Sequence, residues 1–317
     1  MNNLIFSLNA TMPLFIMMAL GYILKRIKFI DDISAATMNR LVFKVFLPAL
    51  LFADLAKENF FAIWDGKLVL FCLVVTLISI ALATVLSLVL TRDKADRGEI
   101  IQGSFRSAAA TLGIAFMLNI YDSATAVALM IVGSVPIYNV TSVIVLAVTA
   151  EDTGAEKSTK ALAKKTMKNI VTNPIILSIA AGLIWSLLEL PMPAVLDKSV
   201  TYLGNVASPL ALIVLGASFT FSDAGGKIKE TAAVAFTKLI LLTAIFLPIA
   251  VKLGFRNESL VAILIMLGSG TTSSSFIMAK NMGHKGIISA SAVMITTLLM
   301  SFTMAAWLYL LKSMGWM

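Results

Sequence analysis

Four basic residues fall inside long apolar runs of this sequence: Arg40, Lys44, Arg106 and Lys238. An ionisable group at such a depth is costly and marks a pathway or a partner. The one clear acid in the same kind of run is Asp54. An interior with more fixed positive than negative charge favours an anionic ligand. Arg106 stands in Gly103-Ser-Phe-Arg106-Ser107-Ala-Ala-Ala-Thr111-Leu-Gly113, and a guanidinium there could clamp a carboxylate through two parallel hydrogen bonds. A second polar concentration is Gly268-Ser269-Gly270-Thr271-Thr272-Ser273-Ser274-Ser275. Glycine costs a helix about 1 kcal/mol relative to alanine, and clustered hydroxyls compete for backbone hydrogen bonds.

Both runs are therefore expected to break their helices. Unwound backbone survives at membrane depth only where protein or a water-filled cavity satisfies it, and the free N–H groups of a restarted helix attract carboxylates. The candidate anion-binding residues are Arg106, Ser107, Thr111, Asn139, Ser269, Thr271, Thr272, Ser273 and Ser274. Lys238, Lys44 and Asp54 are candidates for gating or counter-charge, and Gly113, Gly268, Gly270 and Pro136 for hinges. Plainer readings stand beside these. Small residues let helices pack closely, Arg106 could brace backbone carbonyls, and Arg40 and Lys44 could snorkel to an interface.

The elements that must carry these residues follow from composition. Hydrophobic residues make up 59% of the 317 and charged residues 13%, against about 45–50% and about 25% in a soluble domain. That much apolar surface implies an all-α integral membrane protein. Apolar runs separated by charged or turn-rich breaks give ten spans near 4–24, 35–56, 68–90, 99–121, 123–149, 168–188, 196–220, 229–251, 258–282 and 286–311. The first run has its basic cluster after it, so it reads as a span rather than a cleaved signal. With the N-terminus outside, fifteen basic residues fall in inner loops and six in outer ones. This places both termini outside and accounts for the formal charge of +8 without nucleic acid.

The chain divides into a first five-helix unit at 1–150, a linker at 151–168 and a second unit at 169–317. Pro13 and Pro174, Gly21 and Gly182, and Pro48 and Pro209 share one offset of 161 positions. The same offset carries 103–113 onto 264–274, overlapping the second polar run. An odd number of spans per half makes the repeat inverted, an architecture of many secondary transporters. Cys72 and His284 are each the single residue of their kind, so no internal disulfide, metal site or cofactor is expected. No Gly-x-x-x-x-Gly-Lys-Ser/Thr loop is present to suggest ATP as the driver.

The chain also resembles the auxin efflux carrier family, and within it a bacterial malate-permease-like branch. The resemblance rests on Leu41-Val-Phe-Lys-Val-Phe-Leu-Pro48-Ala-Leu-Leu-Phe52, Gln102-Gly-Ser-Phe-Arg106-Ser107, Asn173-Pro174 with Gly182, and Gly204-Asn-Val-Ala-Ser-Pro209-Leu-Ala-Leu-Ile-Val-Leu-Gly216-Ala217. It implies ten spans as two five-helix inverted repeats, with spans four and nine crossing as broken helices, and transport of carboxylates. The sequence departs from the family where an asparagine and crossing prolines are frequent, with Ala108, Ala115 and Thr271 in those places.

The expected function is a secondary carrier, in a bacterial inner membrane, for a dicarboxylate or auxin-like acid by alternating access. An anion channel or uncoupled facilitator is the alternative. A membrane-embedded enzyme lacks a convergent nucleophile, base or metal set. Coupling to protons or sodium is open, since no deeply placed Asp or Glu is evident. A homodimer is open too.

Overall fold

A computed structural model of the protein describes residues 2–56, 65–121, 125–150, 167–168 and 171–317. Every regular element among them is helical. In chain order these are α1 (Asn2–Arg26), α2 (Asp32–Leu41), α3 (Leu47–Ala56), α4 (Gly66–Leu90), α5 (Lys94–Phe105), α6 (Ala109–Tyr121) and α7 (Thr125–Thr149). They continue as α8 (Pro174–Leu187), α9 (Ala194–Ser218), α10 (Phe221–Gly226), α11 (Ile228–Phe236) and α12 (Leu242–Lys252). The last three are α13 (Asn257–Gly268), α14 (Ser274–Asn281) and α15 (Ile287–Ser313). Apart from residues 167–168, the expected linker at 151–168 lies outside the described residues.

Local chemistry sets several of the helix starts. Asp31 accepts from the Ser34 N–H at 2.7 Å, Asp65 from Lys67 and Leu68, and Asp93 from Ala95. Asn173 does the same for Ile175 at 2.9 Å, with Pro174 in the first turn of α8. Each cap supplies an acceptor to an N–H that has no partner inside its helix. Among the described residues, six stretches are long and apolar enough to cross a membrane: Asp32–Ala56, Gly66–Leu90, Thr125–Thr149, Ala194–Ser218, Ile228–Lys252 and Ile287–Ser313.

Two of these six contain a wide turn. Residues Val42–Phe46 join α2 to α3, and Thr237–Leu241 join α11 to α12, both as π-helix. The Leu47 N–H reaches the Val42 carbonyl and the Leu242 N–H reaches that of Thr237, five residues back in each case. One turn carries Lys44 and the other Lys238.

The helices pack as two groups. In one, α1 and α3 pack on α9 and α3 on α8; in the other, α4 to α7 pack with α11 to α15; α1 also packs along α15 and so joins the two. Two apolar cores result: one around Phe105, Met117, Ile263 and Met300, and one around Met18, Leu51, Ile179 and Val214 that also takes in Leu146 of α7, Phe276 of α14 and Val293 of α15. Glycine sets the closest approach in the first group. A Cβ on Gly21 would overlap the Ile213 carbonyl, and one on Gly216 would overlap that of Met18. Helices α1 and α9 thus meet backbone to backbone through small residues, as membrane helices do where no hydrophobic driving force acts between them and close packing must hold them.

Candidate functional site

Two helices of the second group are interrupted. Helix α5 stops at Phe105 and α6 starts at Ala109; α13 stops at Gly268 and α14 starts at Ser274. The two gaps lie against each other. The Ala108 N–H donates to the Gly270 carbonyl at 2.8 Å, and the Thr271 hydroxyl donates to the Gly103 carbonyl at 2.8 Å. The Ser107 and Ser269 hydroxyls hydrogen-bond each other. The Thr271 N–H donates to Thr296 Oγ1 at 2.9 Å, and that hydroxyl donates onward to the Ala292 carbonyl. These bonds replace helical ones that the gaps forgo, which answers the demand for buried backbone satisfaction. At Gly270 a Cβ would stand 3.2 Å from the Thr296 backbone, so the approach of this gap to α15 requires glycine or a shift.

Arg106 occupies the first gap in an extended conformation and is 4% exposed. Its Nη2 donates to Asn139 Oδ1 at 2.6 Å and to Ser274 Oγ at 2.8 Å, and Nη1 lies on the Met278 sulfur. With its amide oxygen turned to Arg106, Gln102 accepts from Nη1 at 3.1 Å and donates to the Ser275 carbonyl at 3.2 Å. Among the described residues no carboxylate forms an ion pair with this guanidinium. Every hydrogen-bond partner is neutral, so the charge is held at depth by dipoles alone.

Lys238 serves the second gap. It is 1% exposed, and its Nζ donates to the Met266 and Leu267 carbonyls at 3.1 and 3.0 Å. These are among the last carbonyls of α13, which no intrahelical donor reaches. A cation at a helix C-terminus also opposes the negative end of its dipole. The N-terminal ends of α6 and α14 both begin at the crossing, and the Arg106 guanidinium sits beside that of α14. Positive potential therefore accumulates there.

A cavity of about 30 Å³ lies beside the gaps, lined among others by Ala108, Thr271, Thr272, Ser273, Ser208 and Leu212. It has room for water but not for a drug-sized ligand, whose sites occupy about 300 to 1,000 Å³. In this structure the crossing is closed.

The structure thus brings together at the crossing Arg106 bonded to Asn139 and Ser274, the Ser107–Ser269 pair, and Thr271 bonded to the Gly103 carbonyl, with Thr272 and Ser273 on the adjoining cavity. Thr111 and Ala115 are on α6, and their side chains lie outside those described. Lys44 is exposed on its π turn and Asp54 is half-buried on α3; neither is among the residues joined at the crossing. Gly113 lies within α6, packed by Val127 and Ile265, rather than in the gap. Pro136 is inside α7, one turn before Asn139.

Sequence reading missed Gln102 and Met278, whose part depends on which helices meet, and two buried acids. Glu99 is 1% exposed and accepts from the Gly286 and Ser289 N–H groups at 2.7 and 2.8 Å, capping α15. Asp96 is 4% exposed and pairs with Lys227, holding that ammonium above the usual lysine range. The expectation of no deeply placed acid is therefore corrected. Both lie in the first two turns of α5, at or just before the start of span four as read from the sequence, where a charge reads as a boundary. His284, between α14 and α15, is buried, its ring nitrogens facing the Ala95 and Leu146 carbonyls at 3.0 and 2.9 Å.

Residues 6–308 match the family model described as membrane transport protein. The chain belongs to this family. The resemblance drawn from the sequence is borne out, and with it an integral membrane protein that transports rather than an enzyme. A protein of Rhizobium meliloti (strain 1021) named "Putative malonate transporter" is 23% identical over 314 residues, 95% of each chain. An "Uncharacterized transporter" of Methanothermobacter thermautotrophicus (strain Delta H) is 25% identical over 257 residues, covering 79% of this chain and 80% of that one.

Proposed function

We propose that this family member is a secondary carrier for a small organic anion, a mono- or dicarboxylate, which binds at the crossing of the two gaps. The observation that carries the reading is Arg106: a buried guanidinium with neutral partners only, beside the N-terminal end of α14. A buried charge without a counter-charge is expensive, and a carboxylate supplies what the fold leaves out. Ser107, Ser269, Thr271, Thr272, Ser273, Ser274 and Asn139 are the proposed donors and acceptors around it, with Thr111 at the start of α6. Lys238 holds the second gap in shape. The name of the Rhizobium relative points to the same class of cargo.

Ten spans as two inverted five-helix repeats, at 1–150 and 169–317 with both termini outside, are the topology we attach to this reading. The shared offset of proline and glycine positions supports it, as do helix gaps in corresponding spans, which that offset brings within a few residues of each other. The closed cavity of about 30 Å³ favours alternating access over an open channel. The test is uptake of labelled malonate and malate by proteoliposomes containing the full-length protein. Wild type should transport at least one of them and Arg106→Ala neither, at equal incorporation and melting temperature. Unchanged transport by Arg106→Ala would remove Arg106 from the binding site.

A further inference from the structure

Away from the crossing, where α9, α10, α14 and α15 meet, two adjoining cavities share Phe219, Ala224 and Ser291. The first, of about 230 Å³, has Lys280 and Lys285 in its wall, together with Thr220 and the start of α15 at Gly286. The second, of about 370 Å³, is walled by Phe15, Ile228, Met294, Ile295 and Leu298. Among the described residues, its hydroxyls are those of Thr231 and Ser291. Ile228 is 55% and Leu298 47% exposed, each on a stretch long and apolar enough to cross a membrane. The mouth of this second cavity therefore faces hydrocarbon.

The two hydroxyls are a separate clue. Ser291 is 3% exposed and Thr231 0%, and neither hydroxyl has a hydrogen-bond partner among the described residues. A helical serine or threonine can bond the carbonyl four residues back, as Ser134 and Thr296 do here. Ser291 and Thr231 do not, and both line the cleft. Along α15 the wall changes in a fixed order: lysine just before the helix, Ser291 in its second turn, then Met294, Ile295 and Leu298. From Gly286 to Leu298 the helix rises about 18 Å.

We propose that this pair of cavities binds an anionic phospholipid, with its phosphate between Lys280 and Lys285. The glycerol ester carbonyls accept from Ser291 and Thr231, and an acyl chain lies along Phe15, Met294 and Leu298. Charge, hydrogen-bond donors and apolar wall follow one another in the order in which a phospholipid presents phosphate, ester and chain. Basic clefts between membrane helices suit acidic headgroups, and the exposed apolar mouth admits the chain sideways from the bilayer. The site shares no residue with the gaps. A lipid there would bridge α9 and α10 to α14 and α15, and so stabilise the present arrangement of the two helix groups.

The test uses full-length protein in nanodiscs of equal phosphatidylglycerol and phosphatidylcholine, with retained lipid counted by native mass spectrometry after gentle release into detergent. Wild type should retain phosphatidylglycerol in preference and melt at a higher temperature when it is added. Lys280→Gln with Lys285→Gln should reduce that preference by at least about tenfold, while arginine at both positions keeps it. Leu298→Trp, which fills the cleft, should reduce retention of both lipids. Equal retention of the two lipids by wild type, or a preference unchanged in the double glutamine variant, would overturn the proposal. So would protection by glycerol phosphate equal to that by phosphatidylglycerol, which would mean a soluble anion site. Both lysines are exposed, and the melting temperature of each variant without added lipid checks its fold. Retention is measured without transport, so a wrong cargo leaves this outcome unaffected.

Discussion

At the scale of single residues, Arg106 and Lys238 are two buried cations with opposite assignments. Lys238 is consumed by the protein, since its ammonium answers two carbonyls at the end of α13. Lys238→Met should lower stability by about 1–3 kcal/mol, the cost of orphaning buried acceptors, seen as a lower melting temperature in detergent. Arg106 has neutral partners and charge to spare. Arg106→Lys keeps the charge but loses the planar fork, so carboxylate binding should fall by roughly tenfold to a hundredfold in thermal-shift titrations. Equal affinity in the lysine variant would mean that the site senses charge alone. The sequence made Arg106 legible, because a cation inside an apolar run has few explanations. It did not make Gln102 and Met278 legible, because an amide and a thioether become partners of Arg106 only once α14 is folded against α5. Lys44 shows the reverse: its run is as apolar, yet it is exposed and far from being spent on a helix end.

At the scale of elements, both gaps were legible because glycine and hydroxyl residues weaken a helix wherever they cluster. Their boundaries were sharper in the structure, 106–108 and 269–273, than in the runs that announced them. Gly113 was misread for that reason: glycine as a packing surface and glycine as a hinge look alike in one sequence, and here Val127 and Ile265 fill the space beside it. Gly270 is the glycine that matters for shape. Gly270→Val should push the second gap off the Thr296 backbone and cut transport at least about tenfold, with secondary structure by circular dichroism unchanged. At Gly21 the obstacle is the Ile213 carbonyl itself. Gly21→Leu should therefore part α1 from α9 and abolish the folded peak in size-exclusion chromatography, whereas Gly225→Leu, with open space around it, should leave it intact.

At the scale of the whole molecule, the two helix groups and the core that α14 and α15 share with the first of them are tertiary facts that apolar composition leaves open, since nearly every span is hydrophobic enough to sit anywhere. The closed crossing is another. Ser269 is 1% exposed and bonded to Ser107, whereas Thr272 lines the small cavity beside it. Cysteine at Thr272 should therefore react with small water-soluble thiol reagents only in those states of the transport cycle that open the crossing, and cysteine at Ser269 more slowly still. Addition of a transported carboxylate should change the Thr272→Cys rate. The native Cys72 is buried and adds little background. Rates that are fast and unaffected by carboxylate would point to a permanently open pore.

The two wide turns have a consequence for how the chain can vary in length. A π turn holds one residue more than the α-helical turn it replaces, so the helix beyond it is rotated by about 100°. Removing one residue from 237–241 would straighten the helix, yet every side chain on one flank would then point to a different neighbour. Aligning such a span with a relative that lacks the turn requires a single-residue gap inside the helix itself, at Lys238. A comparison that forbids gaps there would place every residue on one side of it out of phase.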